Sequence, residues 1–161
     1  MNEFKTINIL FCGTGGQGVL KAAEICARAA MLEGFHVKKS EVHGMSQRGG
    51  SVESHLRFGR RVFSPLIPYG KADYLISFHE EEHRRLKKML KPGGSDLTGY
   101  LEKACRAAKD KRYLNIFLLG VLSSYLSLKE KSWLKAIDNV FPAKISYENR
   151  RVFAQGRKEK L

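Results

Sequence analysis

An apolar run, Ile7-Asn8-Ile9-Leu10-Phe11-Cys12, leads into Gly13-Thr14-Gly15-Gly16-Gln17-Gly18 and then into a helical stripe. This succession constrains the fold more than any other part of the chain. A short apolar run that stops at glycine reads as a buried strand. The stripe is Val19, Ala22, Ala23, Cys26, Ala27, Ala30 and Met31. Its small side chains suit a helix over 19–33 pressed closely on a sheet, with Gly34 as its stop. Residues 35–40 read as a second strand. Strand, glycine turn, helix and strand form a βαβ unit, which calls for parallel strands joined by a right-handed crossover. The expected fold class is therefore α/β, with three layers (α/β/α), a mainly parallel sheet and a Rossmann-like first βαβ unit, all in a single domain spanning 1–161.

Further along, residues 51–58 alternate in polarity like a half-exposed strand, and Arg61-Val62-Phe63 is the expected hairpin partner. Pro65 and Pro68 break the chain, and residues 72–78 form another buried strand. A helix is expected over about 80–90, stopped by Lys91-Pro92-Gly93-Gly94. Helical patterns follow over 97–108, 114–126, 133–139 and about 146–157. Apolar residues make up 43% and charged residues 28% of the 161, a globular composition. No apolar run approaches the roughly 20 residues needed to span a bilayer. Met1 to Lys5 lacks the features of a signal peptide, so a cytoplasmic protein is expected.

The formal charge is +13. Such an excess attracts nucleic acid, anionic cofactors, membranes or an acidic protein. The cations are spread along the chain and do not alternate with aromatics as on a base-stacking surface, which disfavours nucleic acid. An acidic partner subunit explains the charge at least as well. Cys12, Cys26 and Cys105 are odd in number and far apart, so neither a disulfide framework nor a thiolate metal site is expected. An iron–sulfur cluster, if the function needs one, must be carried by a partner.

The Gly13-x-Gly15-x-x-Gly18 turn stands where a dinucleotide fingerprint belongs. Backbone N–H groups at a helix start can bind phosphate without a charged side chain. Glu41 lies near the position of the ribose-binding acid, but it follows Lys38-Lys39-Ser40, a set better suited to a phosphate. On pattern alone, nicotinamide binding and simple close packing both stay open. His79-Glu80-Glu81-Glu82-His83 fits the His-Glu-x-x-His zinc pattern. It sits at a helix entry, where glutamates are favoured by the helix dipole, and no third ligand follows. Between Glu41 and Ser51 the sequence Glu-Val-His-Gly-Met-Ser-Gln-Arg-Gly-Gly-Ser has neither helical nor strand periodicity. It reads as a loop that approaches another molecule, with Arg48 able to pair with a phosphate or carboxylate. No nucleophile elbow surrounds Ser46, so His43 and Ser46 are not read as a catalytic pair.

The 13–20 turn, the 41–52 segment, Ser64-Pro65-Leu66-Ile67-Pro68 and Ala72-Asp73 together resemble the gamma-type subunit of 2-oxoacid:ferredoxin oxidoreductases, and within it the indolepyruvate branch (its beta subunit). The match continues through Lys91-Pro92-Gly93-Gly94, Asn115, Leu119-Gly120, Asn149, Phe153 and Gly156. The resemblance implies oxidative decarboxylation of an arylpyruvate to an acyl-CoA, with electrons passed to ferredoxin. Thiamine diphosphate, Mg and iron–sulfur clusters would belong to a large alpha subunit, and this chain would be inactive alone. Residue chemistry and placement point to a backbone-donor loop facing an anionic group or partner at Gly13, Gly15, Gly16, Gln17 and Gly18, and to an edge nearest the partner's active site at Met45, Ser46, Gln47, Arg48, Gly49 and Gly50. No metal ligand and no proton-transferring side chain is assigned. A stand-alone NADP-binding reductase and a non-catalytic scaffold subunit are the alternatives. The family pattern has two further strands after Lys91-Pro92-Gly93-Gly94, where here Gly94 passes directly to Ser95-Asp96-Leu97. Removing two strands exposes sheet edge and core, which favours residues absent from the sequence here over a genuine deletion.

Overall fold

The computed structural model describes residues 5–45 and 49–159. In chain order the elements are β1 (Ile7–Thr14), α1 (Val19–Leu32), β2 (His36–His43), β3 (Ser51–Gly59), β4 (Ala72–Ser77), α2 (Glu80–Leu86), β5 (Leu90–Asp96), α3 (Leu101–Ala107), α4 (Leu114–Tyr125), α5 (Glu130–Val140) and α6 (Ala143–Lys158). The strands form a five-stranded sheet of order β2-β3-β1-β4-β5. Central β1 is buried on both faces, which is why its sequence reads as a continuous apolar run. Ile9 and Phe11 enter the large core shared with α1 and α4, while Leu10 and Cys12 face a smaller cluster with Ile67, Leu75 and Leu86.

The opening βαβ unit is split. β3 lies between β1 and β2 and runs antiparallel to both, with Leu10 opposite His55 and Ser40 opposite His55 on the other side. β1 and β2 thus point the same way but do not touch, which corrects the expectation of adjacent parallel strands. Four of the five strands share one direction, and two of the four pairings are parallel. A second correction concerns residues 61–63. They do not pair with β3, because β2 already occupies that edge. Instead the chain from 60 to 71 forms a strap across the sheet. Val62 N–H donates to His36 Nδ1 at 3.1 Å, and Arg57 Nη1 donates to the carbonyls of Ser64 and Leu66.

The two faces are covered unequally. α1 rests on β1, β2 and β3, and α3 to α6 extend the same core around Trp133, Phe117 and Phe153. α4 and α6 cross almost backbone to backbone: a Cβ on Gly120 would stand 2.2 Å from Phe153 O, and one on Gly156 2.0 Å from Phe117 O. Among the described residues, the opposite face carries α2, over β1 and β4, and the strap. Residues 91–94 are not a helix stop but part of β5, a third correction. Proline is tolerated there because β5 is an edge strand. Its pairing is irregular: β5 advances from Leu90 to Ser95 while β4 advances only from Ala72 to Tyr74.

Candidate functional site

At the carboxyl end of β1 the glycine turn is held from three sides. Gln17 Oε1 accepts the N–H of Thr14 at 2.8 Å, and Gln17 Nε2 donates to Phe78 O at 2.8 Å, fixing the turn to the end of β4. Asn115 Nδ2, from α4, donates to Gly18 O at 3.2 Å. Gly15 N–H donates to Gly50 O at 2.9 Å, joining the turn to the β2–β3 connection. Gly18 has φ 78 and precedes the first turn of α1, and a Cβ there would meet Asn115 Nδ2 at 2.3 Å. A Cβ on Gly13 would meet Gln17 Oε1 at 2.7 Å, whereas Gly16, with φ 89, has nothing within 4 Å. Packing therefore demands Gly13 and Gly18, Gly15 spends its N–H on Gly50, and Gly16 leaves its backbone open to an approaching group.

The segment 41–51 is not one loop. Glu41, Val42 and His43 end β2, Ser51 begins β3, and Gly44 N–H donates to Ser51 O at 2.7 Å to close the hairpin. Met45 is fully exposed, and Gly49 (φ 65) and Gly50 bring the connection back to the glycine turn. Ser46, Gln47 and Arg48 lie outside the described residues. Between the turn and the hairpin opens a cleft of about 390 Å³, lined by Thr14, Gly15, Gly16, Lys21, His43 and Val52 among others. The first N–H groups of a helix have no intrahelical acceptors, and the helix dipole makes that end positive. With Lys21 and His43 on its walls, the cleft suits an anionic group.

Lys21 and His43 were not given this role from sequence. The available signal was that Lys21 falls in the first helical turn after Gly18. Lys21 Nζ lies 5.1 Å from the centre of the Phe141 ring, and His43 Nε2 lies 3.7 Å from Glu41 Oε2. Glu41 is committed to Lys39 at 2.7 Å, and that bond holds its carboxyl below the usual carboxylate range. With β3 interposed, Glu41 also stands one strand spacing (about 4.8 Å) further from β1 than it would on an adjacent strand. Both facts argue against its serving a ribose.

On the opposite sheet face the hairpin is braced by ion pairs. Arg85 Nη2 lies 2.7 Å from Glu53 Oε1, 2.6 Å from Glu82 Oε2 and 2.7 Å from Ser51 Oγ, and Ser51 donates to Glu82 at 2.7 Å. His55 Nδ1 accepts the N–H of Ile67 at 3.2 Å, so its proton sits on Nε2, 3.4 Å from Glu53 Oε2. His55 first, and then Arg85, hold the Glu53 carboxyl below the usual range. Of the 79–83 motif, Glu82 and His83 are engaged in this brace and its surroundings, whereas His79 bonds through its backbone and its Nδ1 is buried without a hydrogen-bond partner. Glu82 pairs with Arg85, His83 Nε2 lies 2.6 Å from Asp96, and His79 N–H donates to Ser77 Oγ. Among the described residues no three His, Cys, Asp or Glu side chains gather as a metal site.

The family model described as pyruvate ferredoxin/flavodoxin oxidoreductase matches residues 8–99. Subunit IorB of the indolepyruvate oxidoreductase of Thermococcus kodakarensis is 48% identical over 90 residues, which are 56% of this chain and 45% of that relative. Subunit KorC of the 2-oxoglutarate synthase of Archaeoglobus fulgidus is 27% identical over 166 aligned positions, covering 89% of this chain and 88% of that one. The match to the first of these spans less than half of that relative's length. Among solved structures, the 2-oxoglutarate:ferredoxin oxidoreductase of Magnetococcus marinus, described with 2-oxoglutarate, coenzyme A and succinyl-CoA bound, superposes with a TM-score of 0.80. The identity is 20%, over 96% of this chain and 31% of that one, and it speaks to the fold alone.

Proposed function

Because the chain belongs to the pyruvate ferredoxin/flavodoxin oxidoreductase family, we propose that it is the non-cluster subunit of a 2-oxoacid:ferredoxin oxidoreductase acting on an arylpyruvate of the indolepyruvate class. The complex would decarboxylate the 2-oxoacid oxidatively, form an acyl-CoA and reduce ferredoxin. The observation that carries this reading is the cleft where the glycine turn and the hairpin meet, joined by the Gly15–Gly50 bond. Its positive helix end, Lys21 and His43 suit a phosphate of coenzyme A, and Met45, Gly49 and Gly50 form the rim that a partner would face.

The thiol groups of this chain do not fit an iron–sulfur cluster. Cys12 and Cys26 are buried, burial pushes the Cys12 thiol up to about 12 and Cys26 higher still, and Cys105 stands apart on α3. The clusters are therefore assigned to a large alpha subunit, through which ferredoxin is reached, and thiamine diphosphate and Mg are placed there with them as the family resemblance implies. The alternative of a stand-alone NADP-dependent reductase loses support from the split βαβ unit and from the pairing of Lys39, a cation that a 2′-phosphate would need, with Glu41.

The test is to co-express this chain with the large subunit and follow ferredoxin reduction with indolepyruvate, phenylpyruvate, pyruvate and 2-oxoglutarate, with and without coenzyme A. Coenzyme A-dependent reduction with the arylpyruvates supports the reading. Tight, saturable NADPH binding by the chain alone, with no activity of the pair, overturns it.

A further inference from the structure

The strap over 60–71 has an inward and an outward side. Val62 and Ile67 are buried beneath it, whereas Phe63, Leu66 and Tyr69, spaced three residues apart, stand outward at 82%, 52% and 68% exposure. Two prolines, Pro65 and Pro68, restrict its backbone, and it is pinned to the sheet by His36, His55 and Arg57. Apolar side chains held outward on a restrained backbone lose little freedom when they are covered, which favours binding. Val42 of β2, opposite Glu53 and thus on the same sheet face as the strap, is exposed as well.

The charge carried by the strap's own sequence has one sign. From Leu56 to Lys71 the sequence contains Arg57, Arg60, Arg61 and Lys71 and no carboxylate, and the Arg61 guanidinium lies 5.6 Å from the centre of the Phe63 ring. Outward apolar side chains on a segment whose own charges are all cationic match an acidic protein surface with apolar residues at its centre. A second copy of this chain is a poor occupant, since each carries +13 and would bring the same sign to the contact.

We infer that the outward side of the strap, centred on Phe63, Leu66 and Tyr69, is the docking surface for an acidic face of the large partner subunit. This rests on the reading of the chain as one subunit of such a complex. The cleft at the glycine turn meets the partner's ligand; the strap, on the α2 face of the sheet, holds the subunits together.

The experiment measures subunit affinity with the full chain and the co-expressed large subunit, comparing wild type with Phe63→Ser, Leu66→Ser and Arg61→Glu. Ile145→Ser and Tyr147→Ser, which change exposed apolar residues of α6, serve as controls. At a binding centre, loss of a large apolar side chain weakens affinity by about 30-fold. That loss is expected for Phe63→Ser and Leu66→Ser, a smaller one for Arg61→Glu, and none for the controls. Thermal melting of each isolated variant close to wild type shows that folding is kept, and a variant that fails this is replaced by Phe63→Gln or Leu66→Gln. Unchanged affinity in folded strap variants overturns the docking surface while leaving the subunit reading intact. Absence of any wild-type complex overturns both. Strap variants that instead abolish a wild-type homodimer, or binding to single-stranded DNA, overturn the proposal in favour of those occupants.

Discussion

Gly16 and Gly18 share a positive φ, of 89 and 78, yet differ in surroundings, and substitution separates the two demands on them. An alanine at either position adopts a left-handed backbone, at a cost of roughly 1–2 kcal/mol, partly offset by the lower entropy of its unfolded chain. At Gly16 nothing lies within 4 Å, so that is the whole effect. At Gly18 the new methyl collides with Asn115 Nδ2 and pushes it away from Gly18 O, which adds about 1–3 kcal/mol of overpacking and bond loss. Urea unfolding should therefore show Gly18→Ala clearly less stable than Gly16→Ala. Adding Asn115→Ala should recover part of the difference. Equal stabilities would mean that α4 yields at no cost. The need for glycine in this turn was legible from the strand–turn–helix spacing, but which glycine serves packing and which leaves open backbone was not. That distinction is set by Asn115, remote in sequence.

The β2–β3 hairpin and α2 are coupled by the Glu53, Glu82 and Arg85 brace, and acid should weaken it. The Glu53 carboxyl is held below its usual value in the fold, so the unfolded chain binds its proton more readily. The stabilisation is thus complete above the ordinary carboxylate value of 4.5 and is lost as pH falls below it through the lowered folded value. Chemical unfolding between pH 3 and 7 should show stability falling on the acid side in wild type and falling less steeply in Glu53→Gln. Identical slopes would remove Glu53 from the acid response. At this scale the sequence revealed that elements exist more readily than it revealed which of them are neighbours. Residues 51–58 alternate as strands do, but alternation does not name the neighbour, so the insertion of β3 between β1 and β2 went unread. Lys91-Pro92-Gly93-Gly94 has the residues of a helix stop, and only its place at a sheet edge makes it a strand. Gly120 and Gly156 look like weak points of two helices, and only the crossing of α4 and α6 explains them.

Across the whole molecule the charge of +13 was plain in the sequence, but its bearing on assembly depends on where the fold puts it. The strap brings Arg61 and Lys71 to the edge of its outward apolar side chains, whereas many other cations are already paired, as Arg85 is with Glu53 and Arg151 with Glu148. Long-range attraction and close contact should therefore separate kinetically. Between 0.1 and 1 M salt the screening length falls from about 10 to about 3 Å, which removes steering by the net charge but leaves apolar contact in place. Stopped-flow association of the chain with its large subunit should slow by about tenfold or more over that range, while dissociation changes little. Phe63→Ser and Leu66→Ser should do the reverse, speeding dissociation and leaving the salt dependence of association intact. Nuclease treatment beforehand should alter neither rate. If salt instead accelerated dissociation and spared association, the cations would be buried ion-pair partners at the contact rather than a guiding field, and the apolar centre would have to be sought elsewhere on the surface.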